Sequence, residues 1–133
     1  MREDATALAF LLVFLGAGLG GTARHAVNVA AFRLLGPNAF PYGTLAINVA
    51  GSFLMGGVVG LFAARSLVGG QDLRLFLTTG ILGGFTTFSA FSLDAVSLWQ
   101  RGEAAGAVAY VAVSVLGSLA ALAAALLLVR AAT

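Results

Sequence analysis

The sequence predicts an all-α integral membrane protein with four transmembrane helices per chain, the third broken near mid-membrane. Three observations carry that expectation. Of the 133 residues 60% are hydrophobic and 9% charged, with a mean hydropathy of +1.03. A soluble domain of this size could not cover that much apolar surface with so few charges. Charged and turn residues also divide the chain into four apolar stretches, each near or beyond the roughly 20 residues that cross a bilayer core. The third stretch holds Gly80-Ile81-Leu82-Gly83-Gly84-Phe85-Thr86-Thr87-Phe88-Ser89-Ala90-Phe91-Ser92, and glycines followed by threonines are poor helix material. An unsatisfied peptide group in hydrocarbon costs several kcal/mol, so a break there has to line a cavity or lie buried in protein.

The chain reads as one four-helix transmembrane domain over residues 1–133, with spans at 5–35, 42–64, 72–99 and 104–130. Arg2 followed by Ala5 to Leu15 resembles a signal peptide. Glu3 and Asp4 dilute its positive region, however, and no polar domain follows, so a retained first span is expected. Gly36-Pro37-Asn38, with Pro41 and Gly43 beyond it, marks the turn into the second span. Gly69-Gly70-Gln71-Asp72 separates the second from the third, and Gln100 to Glu103 links the third to the fourth. Links this short leave no room for an extramembrane domain.

All seven basic residues are arginine and none form a run, so nucleic acid is not an expected partner. Cysteine is absent, which removes disulfides and thiolate metal sites. No nucleophile–base pair, metal-ligand cluster or phosphate loop is present, so an enzyme is not expected. Four spans place Arg2, Arg65, Arg74 and Arg130 on one side, and Arg33 and Arg101 on the other, joined by Arg24 if it lies near the interface. The asymmetry is small under the positive-inside rule, and insertion in both orientations is physically plausible.

Residues four apart share a helix face. That rule strings together Gly16, Gly20, Arg24 and Asn28 in the first span, Thr44, Asn48, Ser52, Gly56 and Gly60 in the second, and Tyr110, Ser114 and Ser118 in the fourth. Small residues and hydroxyls serve helix packing in membranes, and that is the favoured reading of Gly16, Gly20, Gly56 and Gly60. For Ser52, packing and a polar pathway remain equally open. Asn48 brings two donors and two acceptor sites to mid-span, where Ser or Gly would pack more cheaply. Arg24 is a permanent charge in or near a span, with snorkelling to the interface as its alternative role. His25 has no partner pattern and reads as structural or interfacial.

Phe88 and Phe91, three apart, face the same way on a helix resuming after the break. Such a pair is usually core or lipid-facing, but a phenyl ring also has an electropositive edge that can touch a partly dehydrated anion. Asp94, farther along, reads as a solvated helix end or a salt-bridge partner, and Trp99 as an interfacial anchor. The Asn48 amide, the Thr87, Tyr110, Ser114 and Ser118 hydroxyls, the ring edges and Arg24 are donors that suit an anion. Apart from Asp94, the spans hold no carboxylate for a cation or proton relay.

Gly43-Thr44-Leu45-Ala46-Ile47-Asn48-Val49-Ala50-Gly51-Ser52-Phe53, Gly83-Gly84-Phe85-Thr86-Thr87-Phe88-Ser89-Ala90-Phe91-Ser92 and Gly20-Gly21-Thr22-Ala23-Arg24-His25 closely resemble the signatures of the CrcB/Fluc fluoride channel family. The likeness runs the length of the chain. It implies an antiparallel dual-topology homodimer in the cell inner (plasma) membrane, with two pores through which fluoride leaves the cytoplasm passively. It also implies a structural sodium ion at the dimer centre, held by backbone carbonyls that fall on Gly83 and Thr86. The family's pore phenylalanines match Phe88 and Phe91, its pore asparagine Asn48, its fourth-span polar track Tyr110, Ser114 and Ser118, and its vestibule arginine Arg24. Thr87 would face the anion's route beside them. Where many relatives have Thr in the final Phe-Ser-Thr-Phe, this chain has Ala90, which lacks that hydroxyl.

Two other readings fit the composition. A proton-coupled, dual-topology cation or drug exporter would need a titratable carboxylate deep in a span, and the first, second and fourth spans have none. A non-transporting assembly subunit would use every small residue for packing alone.

Overall fold

The computed structural model describes residues 2–37, 40–65 and 70–133. Asn38 of the first expected turn and Gly69 of the second link lie outside the described residues. The helices are α1 (Arg2–Leu35), α2 (Tyr42–Arg65), α3 (Gly70–Leu75), a π-helical stretch over Phe76–Leu82, α4 (Gly83–Phe85), α5 (Phe88–Gln100) and α6 (Ala104–Ala132). Among the described residues four stretches are long and apolar enough to cross a membrane: Ala5–Leu35, Tyr42–Arg65, Gly70–Gln100 and Ala104–Ala132. The third is a composite of α3, the π-helical stretch, α4 and α5.

Glycines set both well-defined helix ends beside the links. Gly36 adopts φ +87° and its N–H donates to the Phe32 carbonyl at 2.9 Å, closing α1 in a left-handed conformation that favours glycine. Gly102, at φ +82°, turns the chain from α5 to α6, beside an exposed ion pair of Arg101 Nε with Glu103 Oε1 at 2.9 Å.

Two seams of small residues bring the helices together. The most extensive pairing is α2 with α6, where Gly56 sits against the Leu122 carbonyl and Gly60 against the Val129 side chain. The first helix packs instead on the π-helical stretch and α4. A methyl added to Gly84 would stand 2.5 Å from the Ala17 carbonyl oxygen, and one on Gly16 2.8 Å from the Gly80 Cα, while Gly20 abuts the Ile81 carbonyl. Without hydrophobic drive between helices in lipid, such backbone approach maximises dispersion and is available only to residues with little or no side chain. The packing role expected of Gly16, Gly20, Gly56 and Gly60 is what the structure shows.

The break in the third span is narrower than the glycine-threonine pattern implies. Gly83 and Gly84 stay helical, and the Gly83 N–H still reaches the Thr78 and Gly80 carbonyls. Only Thr86 (φ −80°, ψ 157°) and Thr87 (φ −154°, ψ 123°) are extended. At Gly84 the low helix propensity is outweighed by the contact with Ala17 of α1, which a Cβ would block. Threonine supplies the interruption because its hydroxyl competes for backbone groups. Thr86 closes α4, with both its N–H (3.0 Å) and its Oγ1 (2.9 Å) donating to the Leu82 carbonyl. Thr87 opens α5, its Oγ1 accepting the Ala90 N–H at 3.2 Å as an N-cap.

Candidate functional site

The two extended residues are received by one face of α2. Asn48 Oδ1 accepts the Thr87 N–H at 2.9 Å, and Asn48 Nδ2 donates to the Thr87 carbonyl at 3.1 Å. One turn on, Gly51 leaves room for the Thr86 methyl, which would collide with any Cβ there. The carboxamide thus copies a peptide group and satisfies Thr87 where no helix can. Of its two amide N–H groups, one is used in this way.

The same hydrogen bonds release two carbonyls. In an unbroken helix the Gly83 carbonyl would accept from Thr87 N–H and the Thr86 carbonyl from Ala90 N–H. The first donor is directed to Asn48 and the second to Thr87 Oγ1. Gly83 is also exposed on the chain's own surface.

A cleft of about 360 Å³ lies between α2, the break and α6. Asn48, Ser52, Thr86, Thr87, Phe88, Phe91, Ser114 and Ser118 line it, with Met55, Leu119 and Leu122 among the apolar residues of its wall. Phe88 and Phe91 are in ring contact, centroids 5.4 Å apart at 44°. They differ in burial: Phe88 is 79% exposed and Phe91 8%. Ser114, 4% exposed, has a buried Oγ that makes no well-formed hydrogen bond among the described residues and lies beside the Tyr110 hydroxyl. It is a donor at the cleft wall that no strong bond engages.

Tyr110 lies behind that wall with no exposed surface. Its ring meets Phe91 at 5.4 Å and Phe40 at 5.5 Å, and its hydroxyl donates to Asp94 Oδ2 at 3.1 Å. Asp94 is therefore neither a freely solvated helix end nor, among the described residues, an ion-pair partner, which corrects the sequence reading. At one turn from the Phe91 face it meets the phenol of α6 before it meets a cation. Beyond it a second cavity, about 260 Å³, is lined by Asn28, Phe40, Thr44, Ala90 and Asp94 among others.

Six of the eight pathway residues expected from sequence, Asn48, Thr87, Phe88, Phe91, Ser114 and Ser118, thus share one cleft. Tyr110 touches that wall from behind, and Arg24, on α1, is not among the residues that line it. His25 and Trp99 are exposed. Three residues of this region carry no site assignment from sequence. Ser52 was signalled by its four-residue offset from Asn48, and Thr44 by the same offset on the other side. Phe40 sits on a link with no periodicity to mark it.

Residues 11–126 match the family described as CrcB-like protein, Camphor Resistance (CrcB). Among similar proteins, one from Granulibacter bethesdensis is 56% identical over 92% of this chain and 95% of its own length. One from Methylobacterium nodulans is 57% identical over 90% and 94%, and one from Rhodopseudomonas palustris 54% identical over 95% and 100%. All three carry the name fluoride-specific ion channel FluC.

Proposed function

The chain belongs to the CrcB-like family, and from that premise we propose that it is a fluoride-specific, multi-pass membrane channel that lets fluoride leave the cytoplasm passively. The observation that carries the reading is the cleft itself. It gathers hydrogen-bond donors and ring edges along one route, and no fixed cation lines it. An ion is conducted when binding offsets its lost hydration but is weak enough to permit release. The buried Ser114 hydroxyl, the Ser118 hydroxyl and the unused N–H of Asn48 replace water at the anion. The ring edges of Phe88 and Phe91 add a soft electropositive contact. Arg24 raises anion concentration at a mouth.

The working unit is an antiparallel homodimer. Support comes from the small arginine asymmetry and from the exposed faces of Phe88 and Gly83, which a single chain leaves uncovered. The Gly83 and Thr86 carbonyls, freed of their helical donors, fit a sodium ion, since carbonyl oxygens are suitable ligands for a hard cation. Held by these carbonyls, the ion would supply a fixed positive charge that favours a nearby anion. Efflux from proteoliposomes, read with a fluoride electrode and with chloride as control, tests the reading. Equal passage of both anions, or of neither, would overturn it.

A further inference from the structure

Five aromatic rings form a continuous row through this chain. Phe88 meets Phe91 and Phe91 meets Tyr110, each at 5.4 Å. Tyr110 then meets Phe40 at 5.5 Å, and Phe40 meets Tyr42 at 4.9 Å. Phe91 lines the first cleft, Phe40 lines the second cavity, and Tyr110, fully buried, is in ring contact with both. Asp94, which accepts from the Tyr110 hydroxyl, also lines the second cavity.

Phe40 is the one of these three rings that no transmembrane helix supplies. It stands on the link between α1 and α2, where its carbonyl accepts the Tyr42 N–H at 2.7 Å. It packs against the buried group of Phe91, Leu98, Ala107 and Tyr110. Its ring plane is set at 85° to that of Tyr110, the T-shaped arrangement in which an electropositive edge meets an electron-rich face. Tyr110 thus has both Phe91 and Phe40 as ring neighbours, while Asp94 accepts from its hydroxyl.

We infer that Phe40 is a positioning residue of the ion pathway. Resting on the channel reading above, the inference is that its ring clamps Tyr110 against Phe91 and so sets the width of the passage between the two cavities. A leucine at this position would keep apolar bulk but lose the oriented contact. A tyrosine would keep the contact.

The test compares wild type with Phe40→Leu, Phe40→Tyr and Leu45→Ala in proteoliposomes, reading the fluoride-over-chloride permeability ratio. That ratio belongs to each open pathway and does not depend on how much protein folds. Leu45 packs on the same buried group without a ring contact, so it controls for packing alone. The expected result is a ratio lowered roughly threefold or more in Phe40→Leu, with wild-type ratios in Phe40→Tyr and Leu45→Ala. Should Phe40→Leu fail to assemble, Phe40→Met gives the same readout. An unchanged ratio in Phe40→Leu or Phe40→Met, or an equal fall in Leu45→Ala, overturns the inference while leaving fluoride conduction intact. Wild-type protein without fluoride flux overturns the channel reading itself, and this inference with it.

Discussion

Asn48 and Thr87, 39 residues apart in the chain, satisfy each other twice: the amide oxygen takes the Thr87 N–H and the amide nitrogen serves the Thr87 carbonyl. The asparagine on α2 is thus the backbone partner that the interrupted third span lacks. It holds the cleft wall in place as well as facing the cleft. Each function makes a separate demand on the side chain.

Asn48→Ala should leave the Thr87 N–H and carbonyl without partners, at about 1–3 kcal/mol for each group. Thermal unfolding in detergent should shift down and fluoride efflux should collapse. Asn48→Asp keeps an acceptor for the N–H but sets a carboxylate against the Thr87 carbonyl and the anion, so efflux should fall in it as well. Wild-type stability in Asn48→Ala would show that the pair is dispensable.

The two phenylalanines should separate in stability though not in transport. Phe88→Ile alters an exposed ring and should leave folding unchanged. Phe91→Ile reshapes a buried site and should cost about 1–3 kcal/mol. Both should greatly slow fluoride efflux with dimer assembly retained by size-exclusion chromatography. Unimpaired efflux in both variants would remove the ring edges from the mechanism.

Ser114→Ala should affect function more than fold. The hydroxyl makes no well-formed hydrogen bond among the described residues and lies beside the Tyr110 hydroxyl at the cleft wall, so the unfolding temperature should move little. Fluoride efflux should slow, because a donor at the cleft wall is gone. A variant both less stable and fully conducting would contradict the assignment.

Replacing sodium on both sides of the membrane with a bulky organic cation should reduce efflux on the order of tenfold, or dissociate the dimer, if the Gly83 and Thr86 carbonyls hold the ion. Gel filtration and electrode traces read the two outcomes separately. Unaltered efflux and assembly would take sodium out of the account.

Four apolar spans were legible because composition and charge punctuation are local properties, and the described residues hold four helical stretches long and apolar enough to cross a membrane. The cleft was legible through the four-residue offsets on α2 and α6, which survive folding because both helices are unbroken over those stretches. The glycines misled as to where the helix stops, since the packing of Gly84 against Ala17 and of Gly80 against Gly16 belongs to a different helix and leaves no local trace. Asp94's bond to Tyr110 spans 16 residues and two helices, and Phe40 reaches Tyr110 from a link. Neither follows a repeat. Side chains that act across elements become visible only when the elements are docked.

The π-helical stretch from Phe76 to Leu82 gives the third span its phase. A π-turn uses an additional residue per hydrogen-bonded ring, and one residue corresponds to roughly 100° of rotation about an α-helix. Thr86 and Thr87 are therefore delivered to a different azimuth from the one an all-α count from Gly70 would give, and that azimuth is the one facing Asn48 and Gly51. The stretch itself carries the seam against α1, which α4 continues, so one run of residues both docks the first helix and aims the break at α2.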